Sequence, residues 1–245
     1  MPLKHFLQAR LSPEGVLGLN LTIGALVLVA ATLLFSAIAE DVVNKERLTV
    51  IDVKVSDVVH HHTRAPLTAA MLVFTNIHSS LGISIITLLV VAYLVRHKLR
   101  AWALALALSV FGGMLLNVVL KNLFHRARPH FDNPILTLSS YGFPSGHTMM
   151  ATTLYGALCA LMVSHVRGWL WRMVTILAAA FLIGLVGFSR IYLGAHYLSD
   201  VLAAMVEGLA WLALCLTAVG TMQRWRRKKA NANSNSEKQI ARDSG

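Results

Sequence analysis

The chain has 245 residues, of which 56% are hydrophobic and 13% are charged. That composition is too apolar for a water-soluble domain of this length, and it indicates an integral membrane protein. The formal net charge of +11 is explained by membrane topology and by attraction to anionic lipid headgroups, so we expect no nucleic-acid partner.

Six apolar stretches are long enough, or nearly so, to cross roughly 30 Å of hydrocarbon as helices. They cover residues 16–39, 67–95, 101–120, 148–163, 170–188 and 197–222. The fourth is short by itself, so we expect it to begin inside the motif that ends at His147. The sequence therefore predicts an all-α polytopic membrane protein with six transmembrane helices in one domain, residues 16–223.

The first stretch superficially resembles a cleavable secretory signal, because a basic start and an apolar run lead to Ala37-Ile38-Ala39. Its apolar run of about 24 residues is well beyond the usual 7–15 of a signal core. We therefore expect an uncleaved anchor, preceded by a cytoplasmic N-terminal segment over residues 1–15.

Apolar and charged residues alternate at helical spacing between the first two stretches. The apolar set is Ile51, Val55, Val58 and Val59, and the charged set is Asp52, Lys54 and Asp57. This pattern predicts a short amphipathic helix in the outer membrane interface, although Val53 and Val55 also fit a strand. His60, His61 and His62 follow; three adjacent histidines do not share one helical face, which favours a solvated loop over a metal site.

Basic residues in the connections indicate the orientation, because Lys and Arg are retained on the cytoplasmic side. Those on one side are Lys4, Arg10, Arg96, Lys98, Arg100, Arg167, Arg172, Arg224, Arg226, Arg227, Lys228 and Lys229. The loop on the other side, residues 40–64, has four basic and five acidic residues. Both termini are then cytoplasmic, and residues 224–245 form a tail that is first basic and then, from residue 230, disordered.

The first cluster of candidate site residues pairs Lys121 with Arg128. Seven residues span two helical turns, so both side chains would lie on one face. Alternatively, Pro129 discourages helix at Arg128, which would then reach in from the start of a loop. An arginine fork and a mobile lysine charge suit a phosphate dianion, although interfacial anchoring explains the pair equally well.

The second cluster is the tetrapeptide Pro144-Ser145-Gly146-His147, which opens the fourth helix. Ser145 is a good N-cap, and Gly146 lets a ligand approach the backbone closely. The unpaired N–H groups and the positive end of the helix dipole form an anion site, into which His147 can donate a proton. Capping alone would also explain Ser145.

The third cluster contains Arg190, His196 and Asp200. His196 and Asp200 are four residues apart at the start of the sixth helix, so the carboxylate can accept a hydrogen bond from one ring nitrogen. That contact fixes the tautomer and leaves the other nitrogen free for attack, but such pairs also occur as structural contacts. Arg190 adds a third cation, and all three clusters fall on the non-cytoplasmic face of the predicted topology.

Together the three clusters resemble the three-part signature of the type 2 phosphatidic acid phosphatase superfamily. Residues 121–129 read K-x6-R-P, residues 144–147 read P-S-G-H, and residues 189–200 read S-R-x5-H-x3-D, with no departure at a signature position. The resemblance implies a metal-independent hydrolase that acts on a phosphoric ester or diphosphate of a lipid.

The resemblance also implies roles for the matching residues. His196 would attack phosphorus to form a phosphohistidine, Asp200 would orient it, and His147 would protonate the leaving oxygen and then help activate water. The phosphoryl oxygens would be held by Lys121, Arg128, Ser145, the Gly146 N–H and Arg190. No cofactor or metal is implied, since these cations occupy the role that magnesium has in many other phosphatases. His125 and His130 match no signature position and are interpreted as loop residues.

Bacterial members of this family with a similar size act on undecaprenyl diphosphate, phosphatidylglycerol phosphate or phosphatidic acid. Undecaprenyl diphosphate ranks slightly first, because a pocket with three cations suits a pyrophosphate. The expected partners are the lipid phosphate and the surrounding membrane lipids. One alternative is a phosphotransferase that passes the phosphoryl group from His196 to another lipid. Another is a non-hydrolytic transporter of anionic lipid, in which His147 and the His196–Asp200 pair would have no purpose.

Three polar or reactive residues inside the apolar stretches need a separate account. Cys159 and Cys215 are interpreted as packing residues rather than as a disulfide or metal ligands. Glu207 lies on nearly the same face as Asp200 but about 10 Å deeper, where a carboxylate is costly unless it is paired. It either lines the substrate cleft or hydrogen-bonds a neighbour such as Asn117, and we favour the structural partner.

Overall fold

The computed structural model describes residues 19–243, and every regular element within that range is helical. The helices are α1 (Leu19–Val43), α2 (Arg47–His61), α3 (Ala65–Ile77), α4 (Ser80–Arg96), α5 (Arg100–Ala107), α6 (Gly113–Phe124), α7 (Gly146–His165), α8 (Trp169–Tyr192) and α9 (Leu198–Asp243), with a π-helical turn at Leu108–Gly112. The predicted segment 1–15 and residues 16–18 of the first predicted helix lie outside the described residues.

Five helical segments of the described chain are long and apolar enough to cross a membrane. They are Leu21–Val43, Arg100–Phe124, Gly146–His165, Trp169–Tyr192 and Leu198–Asn231, and they correspond to five of the six predicted stretches. The helix that was short by itself begins at Gly146, inside the motif, as expected. Helices α3 and α4 pass the same test as a pair that is bent by 50°.

The bend between α3 and α4 divides the predicted stretch 67–95. Ser79 Oγ accepts a hydrogen bond from the Gly82 N–H at 3.2 Å, which caps the start of α4. A Cβ on Gly82 would lie 2.1 Å from the Ile77 carbonyl oxygen, so glycine allows the two helices to meet this closely. The buried His78 ring places Nε2 2.7 Å from the Tyr155 hydroxyl of α7. A cap and a hydrogen bond to α7 therefore hold the bend, and neither is visible in apolar periodicity.

Helix α7 lies in the middle of the bundle. Seven consecutive residues, 148–154, are all buried, so the start of α7 is covered on every side. Its neighbours are α8 and α9, and buried side chains of all three helices form the core, among them Met149, Leu154, Val186 and Ala204. Helix α1 is different, because Leu26, Val29 and Leu33 are more than half exposed and form an apolar surface suited to lipid.

Helix α2 forms where the sequence predicted a short helix, and the alternative of a strand is wrong. Its apolar side chains face outward, with Ile51 and Val58 exposed by 45% and 59%, whereas Asp52 is fully buried. The side of this helix that carries Asp52 and Ser56 therefore packs on the protein, while Lys54 and Asp57 stay exposed. The predicted loop at the histidines is wrong for His60 and His61, which belong to the last turn of α2; the His60 ring stacks on Phe131 with centroids 3.9 Å apart.

The end of the chain also differs from expectation. The sequence predicted disorder from residue 230, but the backbone of α9 is helical to Asp243. No glycine or proline occurs between Gly220 and Gly245, so nothing in residues 221–243 interrupts the helix once it has left the bundle.

Close packing of α9 on α7 depends on Gly208. A Cβ at this position would lie 2.8 Å from Thr152 Cβ and 3.2 Å from the Met149 carbonyl oxygen. We expect Gly208→Ala to lower the midpoint of thermal unfolding in detergent by several degrees, because overpacking costs about 1–3 kcal/mol. A Cβ on Gly184 meets nothing within 4 Å, so Gly184→Ala is the matched control and should leave the midpoint unchanged or raise it. Equal midpoints for both variants would contradict this packing.

Candidate active site

The candidate site lies where four helix ends meet at one end of the bundle. Lys121 is in the last turn of α6, Gly146 and His147 begin α7, Arg190 is in the last turn of α8, and Asp200 is in the first turn of α9. The Ser145 N–H donates to the Asp200 carbonyl oxygen at 3.0 Å and joins the starts of α7 and α9. The structure therefore brings the three sequence clusters together.

His196 lies in the turn before α9, so it precedes the helix rather than opening it. Its Nδ1 is 3.3 Å from Asp200 Oδ2, and that oxygen also accepts the Tyr197 N–H at 2.9 Å. Its Nε2 is 3.1 Å from Arg128 Nη1. Because a guanidinium N–H can only donate, Nε2 carries the lone pair and Nδ1 carries the proton toward Asp200.

The His196 ring is held in its neutral form. The side chain is fully enclosed, and burial lowers its pKa well below the ordinary value of 6.5, with further lowering by the positive charges of Arg128, Arg190 and Lys121. Burial also lowers the pKa of Arg128, although an arginine remains charged. An unprotonated Nε2 therefore lies beside three cations, an arrangement that suits nucleophilic attack on a bound anion.

Three cations reach the site without a carboxylate partner. Within residues 19–243, none of Lys121, Arg128 and Arg190 forms an ion pair with an acidic side chain. Instead Lys121 Nζ donates to the Tyr141 carbonyl oxygen at 3.0 Å, and Arg128 donates to the Ser140 carbonyl oxygen at 2.7 Å. Buried charges without counterions are costly, so this arrangement is suited to an anion such as phosphate.

Arg190 is oriented by a helix that the sequence did not connect with the site. It is 3% exposed, and its Nη1 donates to Thr75 Oγ1 of α3 at 2.5 Å. Its Nε is buried and has no hydrogen-bond partner in the described chain. Arg190 thus retains an unused donor within the cluster of cations.

The start of α7 differs in detail from the prediction. Ser145 occupies the N-cap position, but its hydroxyl pairs with Thr148 Oγ1 at 3.0 Å and does not cap the backbone. The backbone N–H groups of the first turn therefore keep their donors for a ligand. A Cβ on Gly146 would lie 3.2 Å from Asn117 Oδ1 of α6, so glycine allows α6 and α7 to approach closely here.

Glu207 has the structural partner that the sequence favoured. It is 3% exposed, and its Oε2 accepts a hydrogen bond from Asn117 Nδ2 at 2.9 Å. Asn117 therefore lies between Glu207 and the start of α7, so the pair packs against the backbone that begins the motif helix. His125 ends α6 in a left-handed conformation and contacts the Tyr141 ring, in agreement with a loop position.

Sequence reasoning missed Arg126 and Asp52. Arg126 Nη1 donates to Asp200 Oδ1 at 2.5 Å, and Nη2 donates to Asp52 Oδ2 of α2 at 2.7 Å. Burial opposes the charge of Arg126, but the two carboxylates raise its pKa above its ordinary value. Arg126 was missed because it occupies one of the unspecified positions between Lys121 and Arg128 in the first motif. Asp52 was missed because it was grouped with the charged residues of an amphipathic interfacial helix. Nothing in residues 47–61 alone indicates that Asp52 is buried while Lys54 and Asp57 are exposed.

The comparison with protein families matches the part of the chain that contains the candidate site. A model of the PAP2 superfamily matches residues 102–224, which contain all three motifs. The chain is 39% identical over 132 residues to phosphatidylglycerophosphatase B of Bacillus subtilis, a match that covers 53% of this chain and 64% of that protein. It is 29% identical over 138 residues to an undecaprenyl-diphosphatase of Sulfolobus acidocaldarius, covering 54% of this chain and 63% of the relative. The chain therefore spans somewhat less than two thirds of the length of either relative.

The fold is also similar to that of a solved membrane protein. The crystal structure of a transmembrane PAP2 type phosphatidylglycerolphosphate phosphatase from Bacillus subtilis matches with a TM-score of 0.69 and 28% identity, over 77% of this chain and 93% of that one. The family match extends over half of the chain and includes every motif residue gathered at the site. The chain belongs to the PAP2 superfamily.

Proposed function

We propose that this protein is an integral-membrane lipid phosphate phosphatase that works through a phosphohistidine on His196. The proposal depends on one observation: Lys121, Arg128 and Arg190 lie beside the unprotonated Nε2 of a neutral imidazole, and none of the three is paired with a carboxylate in the described chain. A phosphate bound by these cations would lie next to the attacking nitrogen. The names of the relatives agree with a lipid phosphate as the substrate.

The residues at the site divide the reaction into two steps. Nε2 of His196 forms a bond to phosphorus while the bond from phosphorus to the lipid oxygen breaks, and His147 gives that oxygen a proton. Water then attacks the phosphohistidine, loses a proton to His147, and releases phosphate and neutral His196. The cations hold the phosphoryl oxygens through both steps.

A bound phosphate also prepares His147 as the acid. His147 lies near the positive charges of Arg190, Lys121 and Arg128, which repel a further positive charge. A phosphate dianion among the same groups offsets that repulsion, so protonated His147 becomes favourable when substrate binds. This arrangement links the acid's charge to the presence of its substrate.

The topology that fits this function has six spans. In our proposal the bent pair α3 and α4 crosses as one span, α2 lies in the outer interface, and both termini are cytoplasmic in a bacterial inner membrane. Asp200 and Arg224 are 24 residues apart in α9, which is about 36 Å along a helix. The basic cluster 224–229 is therefore at the end of α9 opposite the site, and the positive-inside rule then puts the site on the periplasmic face.

For the substrate we propose a lipid diphosphate, undecaprenyl diphosphate first, with phosphatidylglycerol phosphate or phosphatidic acid close behind. Three cations can hold more anionic oxygens than a monoester offers, which supports the diphosphate. The test is phosphate release by purified protein from a panel of lipid mono- and diphosphates in detergent, with chelator and without any acceptor lipid. We expect release that resists the chelator and is abolished in His196→Ala. Release that persists in His196→Ala would exclude the mechanism, and release only with an acceptor would identify a transferase.

Asp200→Asn tests the orientation of the nucleophile. Asparagine keeps the size of the side chain but removes the charge that holds Nδ1–H and stabilises the imidazolium. We expect turnover to fall by about 10² or more, as for other oriented histidines, while the KM for the lipid changes little. The measurement is steady-state phosphate release, with thermal unfolding as the check on folding. A turnover near that of the wild type would argue against His196 as the nucleophile.

The pH dependence of kcat/KM should reflect the lowered pKa of His196. Burial and the neighbouring cations disfavour the protonated ring, so the nucleophile stays neutral as pH falls below 6.5, the ordinary value. We therefore expect kcat/KM to fall on the acidic side only below pH 6.5. If the His196 ring had an unperturbed pKa, this fall would be centred at about pH 6.5. Measuring a monoester and a diphosphate separates the enzyme's ionisation from that of the substrate. The ionisable groups around His196 are Lys121, Arg128, His147, Arg190 and Asp200, and Arg126 binds the other oxygen of Asp200.

A further inference from the structure

Helix α2 contributes a buried carboxylate, Asp52, which lies beyond Asp200 as seen from His196. We propose that Asp52 is a positioning residue of the active site: it neutralises Arg126, so that the cluster of Asp52, Arg126 and Asp200 keeps one net negative charge against His196. This inference rests on the proposed function, because the charge matters only if His196 becomes a cation during turnover.

Both carboxylate oxygens of Asp52 accept hydrogen bonds, and the donors lie next to Asp200. Asp52 is fully buried. Its Oδ1 accepts the Ser199 N–H at 2.8 Å, and its Oδ2 accepts from Arg126 Nη2 at 2.7 Å and from the Ser199 hydroxyl. Ser199 is the residue before Asp200, so Asp52 holds both the backbone and the cation that adjoin the catalytic carboxylate.

Arg126 is held in one orientation between the two carboxylates. Its Nη1 donates to Asp200 Oδ1 at 2.5 Å, which leaves Oδ2 of Asp200 for the Tyr197 N–H and His196 Nδ1. The guanidinium also lies 4.7 Å from the centre of the Tyr197 ring. Arg126 thus binds Oδ1 of Asp200, and Oδ2 is the oxygen that faces the imidazole.

The charges of this cluster explain why two carboxylates are present. Arg126 alone would cancel Asp200, and the orienting carboxylate would then offer little electrostatic stabilisation to a cationic ring. With Asp52 added, one positive and two negative charges leave a net charge of −1 in a buried setting. When Nε2 binds phosphorus while Nδ1 keeps its proton, the ring gains one positive charge, which this net charge balances.

Asp52→Asn removes one charge and keeps the size of the side chain and an oxygen that can accept the Ser199 N–H. We expect kcat for phosphate release to fall at least tenfold, with KM within about threefold, because the cations that bind the lipid phosphate are unchanged. The matched control is Asp57→Asn on the exposed side of the same helix, which should keep the wild-type kcat. Rates are expressed per folded enzyme, with thermal unfolding measured in parallel.

A charge-balanced double variant separates electrostatics from a merely structural role. Arg126→Gln leaves two buried carboxylates without a cation, and its kcat should also fall at least tenfold. Combining Arg126→Gln with Asp52→Asn restores the net charge of the cluster to −1, while the glutamine amide introduced by the substitution can still donate to Asp200. We therefore expect the double variant to have a higher kcat than either single variant.

The outcomes distinguish this inference from the proposed function. If the wild type and Asp57→Asn release phosphate and Asp52→Asn does so equally fast, Asp52 is only a structural residue and the inference fails while the function stands. If Asp52→Asn does not fold, the double variant decides: a kcat above that of Arg126→Gln supports the inference, and one no higher overturns it. If the wild type releases no phosphate from any lipid of the panel, the proposed function fails and the inference fails with it.

Discussion

The arrangement on which this site depends is the separation of charge across one buried imidazole. On the Nε2 side of His196 are Lys121, Arg128 and Arg190, which have no carboxylate partners in the described chain. On the Nδ1 side is Asp200, whose other oxygen is bound by Arg126. The ring is therefore neutral at rest, with its lone pair toward the cations and its proton toward the anion. An anionic substrate would neutralise the three cations on the Nε2 side. A positive charge on the ring would be balanced by the carboxylate on the Nδ1 side.

The sequence could predict the cationic side because its residues occur in short motifs with defined spacing. Lys121 and Arg190 lie in the last turns of apolar helices, and Arg128 and His196 lie in the connections between such helices, so a helical bundle can bring them to one end. The helices were predictable for the same reason, since hydrocarbon thickness imposes their length. The contact of Glu207 with Asn117 was also predictable, because a carboxylate inside a membrane helix requires a partner.

The anionic side could not be predicted, because it depends on which face of α2 is buried. Amphipathic spacing identifies two faces of a helix, and the usual assignment puts charged residues in water. In α2 the apolar residues Ile51 and Val58 are exposed and Asp52 is buried, since Arg126 and Ser199 supply its partners from distant parts of the chain. The bend after α3 was missed for a related reason: residues 67–95 are apolar enough on average to be predicted as one span, and the few polar residues that form the bend act through local contacts. Ser79 caps α4, and the His78 ring contacts Tyr155 of α7.

That bend has a consequence for the cationic side. Helix α3 is fastened along the end of α8 by the bond from Arg190 to Thr75 and by the Tyr192 hydroxyl, which accepts the Arg64 N–H at 2.9 Å. Helix α4 instead packs against α5 and α7. One straight helix could not follow both α8 and the α5–α7 pair, whereas a break at residues 78–79 lets each half take its own direction. The polar bend between α3 and α4 thus allows Thr75 to reach Arg190 and to orient this third cation of the site.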